Sequence, residues 1–250
     1  IDGSEYTILP GFVDSHTHIV FAGDRSDEFA RRLRGATYKE IAEEGGGILN
    51  TVRATRRASI YELYKNGMKI AVNAIKHGTT SFEIKSGYSL NLDGEIKQLE
   101  AIKLMQSTLP ATIRSTFLGA HDFPPEFANN RDDYVDYICN VMIPEVANRK
   151  LADYCDAFVD SGYYTIDQGR RILNTAKQFG MQVRLHADEL ADVSAGKLAA
   201  DVGCKSADHL LFASEESINA MKKSGTVACL LPGTAYFIRM PYANARKMID

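Results

Sequence analysis

Short apolar runs and amphipathic helical segments alternate along this 250-residue chain almost from end to end, and that alternation admits few folds. A strand that hands the chain to a helix cannot pair as a hairpin with the next strand. The helix carries the chain back across the sheet, so neighbouring strands run parallel. Seven runs read as strands, near Gly11–His18, Thr79–Lys85, Thr112–Ala120, Ala157–Ser161, Gln182–Ala187, Ser206–Leu210 and Thr226–Leu231. The count predicts an α/β fold, a TIM-like (β/α)8 barrel lacking its eighth strand. Between the strands, Ser59 with Glu62 and Thr165 with Gln168 have capping-box spacing, which predicts helices that stop at Gly78 and Gly180. Tyr134, Tyr137, Ile138, Val141 and Met142 share one helical face and predict a helix packed on the outside of the sheet.

At 45% hydrophobic content the chain can bury one large core, so residues 1–250 read as a single barrel domain. Its net charge is −3, and the two basic groups, Arg31-Arg32-Leu33-Arg34 and Arg53 to Arg57, read as solvated faces rather than a nucleic-acid track. No apolar run approaches the ~20 residues that span a bilayer. Cys139, Cys155, Cys204 and Cys229 show no CxxC spacing and fit reduced thiols in the cytoplasm. The first residue is not Met and the first strand follows almost at once, so the expectation is a segment cut from a longer polypeptide. One insertion, residues 19–58, interrupts the rhythm. Its Gly45-Gly46-Gly47 lacks the context of a nucleotide loop and reads as an active-site lid.

The chemistry sits at the strand ends, where barrels of this kind carry their active sites. His16 and His18 are two apart on the first strand and therefore point to the same side. His186 in Leu185-His186-Ala187-Asp188-Glu189 and His209 in Ala207-Asp208-His209-Leu210 end two later strands. Three imidazoles suffice to hold one Zn2+ or Fe2+/Fe3+ per subunit with a position left open for water, whose pKa such an ion lowers toward ~7. That chemistry suits hydrolysis of a C–N bond, with a carboxylate relaying a proton to the leaving nitrogen. Glu189 is placed for the relay only if its strand has already broken, because Asp188 is the residue that shares the inward face of His186. His77, before Gly78, reads as a helix-end cap. His121 follows an apolar run and reads as a buried donor or a substrate contact. Arg25 offers a guanidinium fork for a carboxylate, or else a surface pair with Asp24 or Asp27. Tyr88 can lie over a planar ring. Lys85 ends the second strand, not the fourth, so a lysine bridging two metals is not expected.

The motif PGFVDSHTH resembles the first barrel strand of the amidohydrolase superfamily of metal-dependent hydrolases. The segments FAGDR, GATYKEIAEEGGGI, EIKSGYSLNLDGE, FLGAHDFP, RLHADEL, ADHL and LLPGTAYFIR together resemble the imidazolonepropionase family over essentially the entire chain. The resemblance implies hydrolysis of the cyclic C–N bond of 4-imidazolone-5-propanoate to N-formimidoyl-L-glutamate in histidine degradation. It implies His16, His18 and His186 as metal ligands. It also implies Arg25, Tyr88, His121 and Glu189 as substrate contacts, Glu189 and His209 as catalytic residues, and Tyr38 near the ligand. A small-molecule carboxylate would be the partner of a cytoplasmic homodimer, with no nucleic acid and no membrane. The family has a small β-sandwich domain built from segments flanking the barrel, and an eighth strand whose aspartate binds the metal. This chain stops at Met248-Ile249-Asp250, and Asp250, in a helical stretch, does not replace that ligand. Two alternatives stand beside this reading: an aromatic deaminase of the same superfamily, and a non-catalytic metal-binding barrel that sequesters a small acid.

Overall fold

A computed structural model describes residues 3–36, 40–41 and 44–249. The strands are β1 (Phe12–Thr17), β2 (Thr79–Lys85), β3 (Thr112–Ala120), β4 (Tyr154–Val159), β5 (Gln182–Val183), β6 (Leu185–Ala187), β7 (Ser206–His209) and β8 (Val227–Cys229). All pair in parallel. The order is β1-β2-β3-β4-β6-β7-β8, with β5 also on β4. β5 and β6 are therefore two stretches of one barrel position, and the expected seven positions are present in sequence order. Among the described residues no pairing joins β8 to β1, although Ser15 Oγ lies 3.1 Å from Cys229 Sγ across that side. The result is a nearly closed α/β barrel.

The split between β5 and β6 has a local cause. His186 donates its backbone N–H to the Asp156 carboxylate at 3.1 Å, so a side chain of β4 takes a donor that a regular ladder would give to a β4 carbonyl. The helices pack outside. Both capping boxes form as expected, on Ile60–Lys76 and Ile166–Gln178. His77 accordingly closes the first of these helices, its Nδ1 2.8 Å from the Asn73 carbonyl.

Three expectations are corrected. Val141 is 40% exposed while Val135 and Cys139 are buried, because residues Ile138–Met142 form a π-helical turn that rotates the buried face. Arg32, read as solvated, is only 2% exposed; Phe237 stacks on its guanidinium with 4.0 Å from Cζ to the ring centroid. The fourth strand also begins three residues earlier than expected, at Tyr154.

Candidate active site

The ends of β1, β6 and β7 bring four histidines together. His16 Nε2 lies 3.1 Å from His18 Nε2, which lies 3.3 Å from His186 Nε2. A tetrahedral ion with Zn–N bonds of about 2.0–2.1 Å sets its nitrogen ligands about 3.3 Å apart, so the spacing fits a shared ion. His16, His186 and His209 form one compact group and His18, His121 and His186 another, the ligand atoms of each lying within 4.8 Å of one another. His18 Nδ1 and His209 Nε2 are buried and have no hydrogen-bond partner. Orphaned imidazole nitrogens in a histidine cluster fit a metal-binding donor set. Burial, with the Lys85 ammonium and the neighbouring imidazoles adding to it, holds His16, His18 and His209 well below the ordinary histidine range, so these rings are neutral.

Carboxylates turn two of these rings. His16 Nδ1 is 2.6 Å from Asp208 Oδ2, and His186 Nδ1 is 2.9 Å from Asp156 Oδ2. At His16, with the Nδ1 proton directed to Asp208, the Nε2 lone pair faces the cluster. Beneath lies Lys85, fully buried, its Nζ 2.8 Å from Glu83, 2.9 Å from Asp156 and 3.8 Å from Asp208. Arg184 adds a second cation, donating to Ser206 Oγ at 2.9 Å, and Ser206 in turn donates to Asp208. Burial opposes the Lys85 charge, but Asp156, Glu83 and Asp208 more than offset it, and the ammonium is held above its ordinary range. Lys85 is thus a fixed cation under the histidines.

Above them opens a cavity of about 320 Å³ whose lining includes Arg25, Tyr88, His121, Glu189 and His209. Every expected site residue among the described ones is brought to this place; Tyr38 lies outside the described residues. Arg25 pairs with neither Asp24 nor Asp27. Its Nε donates to Glu28 at 2.7 Å, and Glu28 also accepts from the Gly47 amide at 3.1 Å, tying the triple-glycine loop to Arg25. Gly47 has φ 67° and ψ −144°, a conformation that excludes side chains. His121 Nδ1 carries the proton and donates to the Gly87 carbonyl at 2.9 Å, leaving Nε2 as an acceptor. Burial lowers its pKa to about 3. Tyr88 is held by a loop whose amides at Gly87, Ser89 and Leu90 all donate to the buried Glu95 carboxylate at 2.7–2.8 Å.

The strand breaks before Glu189. β6 ends at Ala187, and Asp188 turns the chain with φ 50°. The Asp188 carboxylate leaves the inward face and accepts the Val193, Ala195 and Gly196 amides at 2.9–3.0 Å. Glu189 then enters the cavity, with Oε1 3.3 Å from His209 Nδ1. Burial pushes its pKa up to about 7, with His186 pulling the other way. Asp156, Glu28 and Arg32 were not singled out from sequence. Asp156 carried one available signal: it sits in a strand, where a carboxylate needs an interior partner.

No protein-family model matches the chain. It is 49% identical over its whole length to an imidazolonepropionase of Symbiobacterium thermophilum, and 47% identical to one of Porphyromonas gingivalis. In both cases it spans 59% of the relative's length. The resemblance carried by the motifs therefore extends over the whole chain. A triazine hydrolase from Arthobacter aurescens shares the fold, with a TM-score of 0.66 at 14% identity, covering 97% of this chain and 57% of that one.

Proposed function

We propose that this chain, which resembles imidazolonepropionases from end to end, carries the catalytic barrel of an enzyme that hydrolyses the ring C–N bond of 4-imidazolone-5-propanoate, giving N-formimidoyl-L-glutamate. The observation that carries the reading is the convergence of three imidazole Nε2 atoms, with spacings of 3.1 and 3.3 Å, beneath a cavity that also receives Glu189 and Arg25. His16, His18 and His186 would hold one Zn2+ or Fe2+/Fe3+. Such an ion, when bound, supplies Lewis acidity and lowers the pKa of water toward ~7.

The chain's own groups do the rest. Arg25 gives Nε to Glu28 and keeps its two terminal amino groups for the propanoate. Tyr88 and His121 Nε2 meet the planar ring. Glu189, poised near neutrality, takes a proton from the attacking water and returns it to the ring nitrogen as the C–N bond breaks. His209, at 3.3 Å, orients that carboxylate.

A deaminase shares the histidines, but Arg25 in the cavity lining favours a substrate that bears a carboxylate, and metal-dependent turnover by the complete protein would exclude a sequestering barrel. Among the described residues no helix is long and apolar enough to cross a membrane. The free cysteines fit a cytoplasmic protein, and a homodimer goes with the same reading. The test is metal analysis with turnover in the complete protein. His16→Ala and His186→Ala should each lose bound metal and activity together, and undiminished metal content in both overturns the ligand assignment.

A further inference from the structure

Glu189 lies outside any strand, so something must hold the turn that brings it inward. Asp160, just beyond the end of β4 and 4% exposed, faces that turn. Its Oδ2 accepts the Glu189 amide at 2.7 Å and the Leu190 amide at 2.8 Å; its Oδ1 accepts the Ala191 amide at 3.1 Å and the Ser161 amide at 2.7 Å. Three consecutive N–H groups, 189 to 191, thus wrap one carboxylate in the way a backbone nest wraps an anion.

Asp188 secures the far side of the same turn through Val193, Ala195 and Gly196. Together the two carboxylates reverse the alternation of the strand, sending residue 188 outward and residue 189 into the cavity. An uncharged acceptor does not serve equally. Asparagine at 160 has one acceptor oxygen and an amino group that donates, so two of the four amides would face a donor.

We propose that Asp160 is the positioning residue for Glu189, acting on the reaction through that side chain rather than touching the substrate. The proposal rests on the reading that Glu189 carries the proton. It makes Asp160 a determinant of kcat, because a carboxylate displaced by an ångström from its proton-transfer geometry costs about 10- to 100-fold in rate.

The experiment is a double-mutant cycle in the complete, metal-loaded protein: wild type, Asp160→Asn, Glu189→Gln and the double variant, assayed on imidazolonepropanoate. Asp160→Asn should lower kcat about 10- to 100-fold with KM changed less than about twofold and metal content intact. In the Glu189→Gln background the same substitution should have no further effect. Effects that multiply in the double variant, or a loss of metal, overturn the proposal. If Asp160→Asn does not fold, Asp160→Glu, which keeps the charge but moves it by one methylene, takes its place with the same expectation.

If Glu189→Gln alone leaves kcat unchanged, the proton-carrying reading of Glu189 fails, and amide hydrogen exchange then judges Asp160 by itself. Slow exchange at residues 189–191 in the wild type and fast exchange in the variant supports the positioning role. Equal exchange overturns it.

Discussion

The interior below the histidines and the rim above them are built from the same residue types used in opposite ways. Below, Lys85, Glu83, Asp156 and Asp208 stand on strands and pair mainly with side chains, Asp156 also taking the His186 amide. Above, Glu28, Glu95, Asp160 and Asp188 satisfy backbone amides of loops, and it is the loops that carry Arg25, Tyr88 and Glu189. Strands fix a side chain's direction through their own ladder, so a buried charge there depends chiefly on a partner of opposite sign. A loop has no ladder, and a carboxylate that collects several amides gives it a shape. Damage below should therefore appear as lost stability, and damage above as lost function.

The largest effect expected from this contrast is that of Lys85→Met. Removing the ammonium leaves Glu83, Asp156 and Asp208 buried around a methionine, with Arg184 the remaining cation near them. Breaking a buried ion pair by deleting one partner costs about 3–5 kcal/mol. Denaturant unfolding of the metal-free complete protein should show that loss, or the variant should fail to accumulate. A loss under about 1 kcal/mol would mean that the carboxylates take up protons at little cost, and the contrast would fall.

Arg25→Lys probes the rim and should move the other quantity. Lysine replaces a fork by a point charge and cannot both hold Glu28 and grip a carboxylate in the same geometry. The loss of a charged hydrogen bond, about 1.5–3 kcal/mol, corresponds to tenfold or more in kcat/KM on imidazolonepropanoate, carried by KM. Stability should change by less than about 1 kcal/mol. Wild-type kinetics would return Arg25 to a surface role and favour the deaminase alternative.

The same contrast explains what was legible in the sequence. The strand ends carrying His16, His18, His186 and His209 could be read because apolar runs and their polar terminators are local, and β2 and β3 fall where the runs predict. The break in the fifth barrel position could not be read that way. It depends on Asp156, 30 residues before the amide that its carboxylate takes. Arg32 is hidden for a similar reason: it lies in a basic run, and the helix Pro232–Ile238, far along the chain, brings Phe237 over it. The π-turn at Ile138–Met142 defeats a 3.6-residue count by inserting one extra residue into it. Residues whose partners are near in sequence were legible; carboxylates whose partners are amides of another loop were not.

The last effect, about 1.4 kcal/mol for each pH unit, separates two groups lining the site by the sign of their response to pH. His121 has a folded pKa of about 3 against 6.5 when unfolded, so between those values the unfolded chain takes up a proton that the folded chain refuses. Stability of the metal-free protein should then fall as pH drops from 6.5 toward 3, by about 1.4 kcal/mol per pH unit for this one group. Glu189 runs the other way. Its carboxyl is raised from 4.5 to about 7, so its contribution is present at low pH and is lost as pH rises through that interval. Between pH 4.5 and 6.5 the two slopes oppose each other. His121→Asn should make the net acid-side slope shallower by one proton, and Glu189→Gln should make it steeper by one, in urea titrations with a chelator present throughout. Equal slopes in wild type and His121→Asn would show that folding leaves the imidazole pKa at its ordinary value, and the opposition between the two groups would fall.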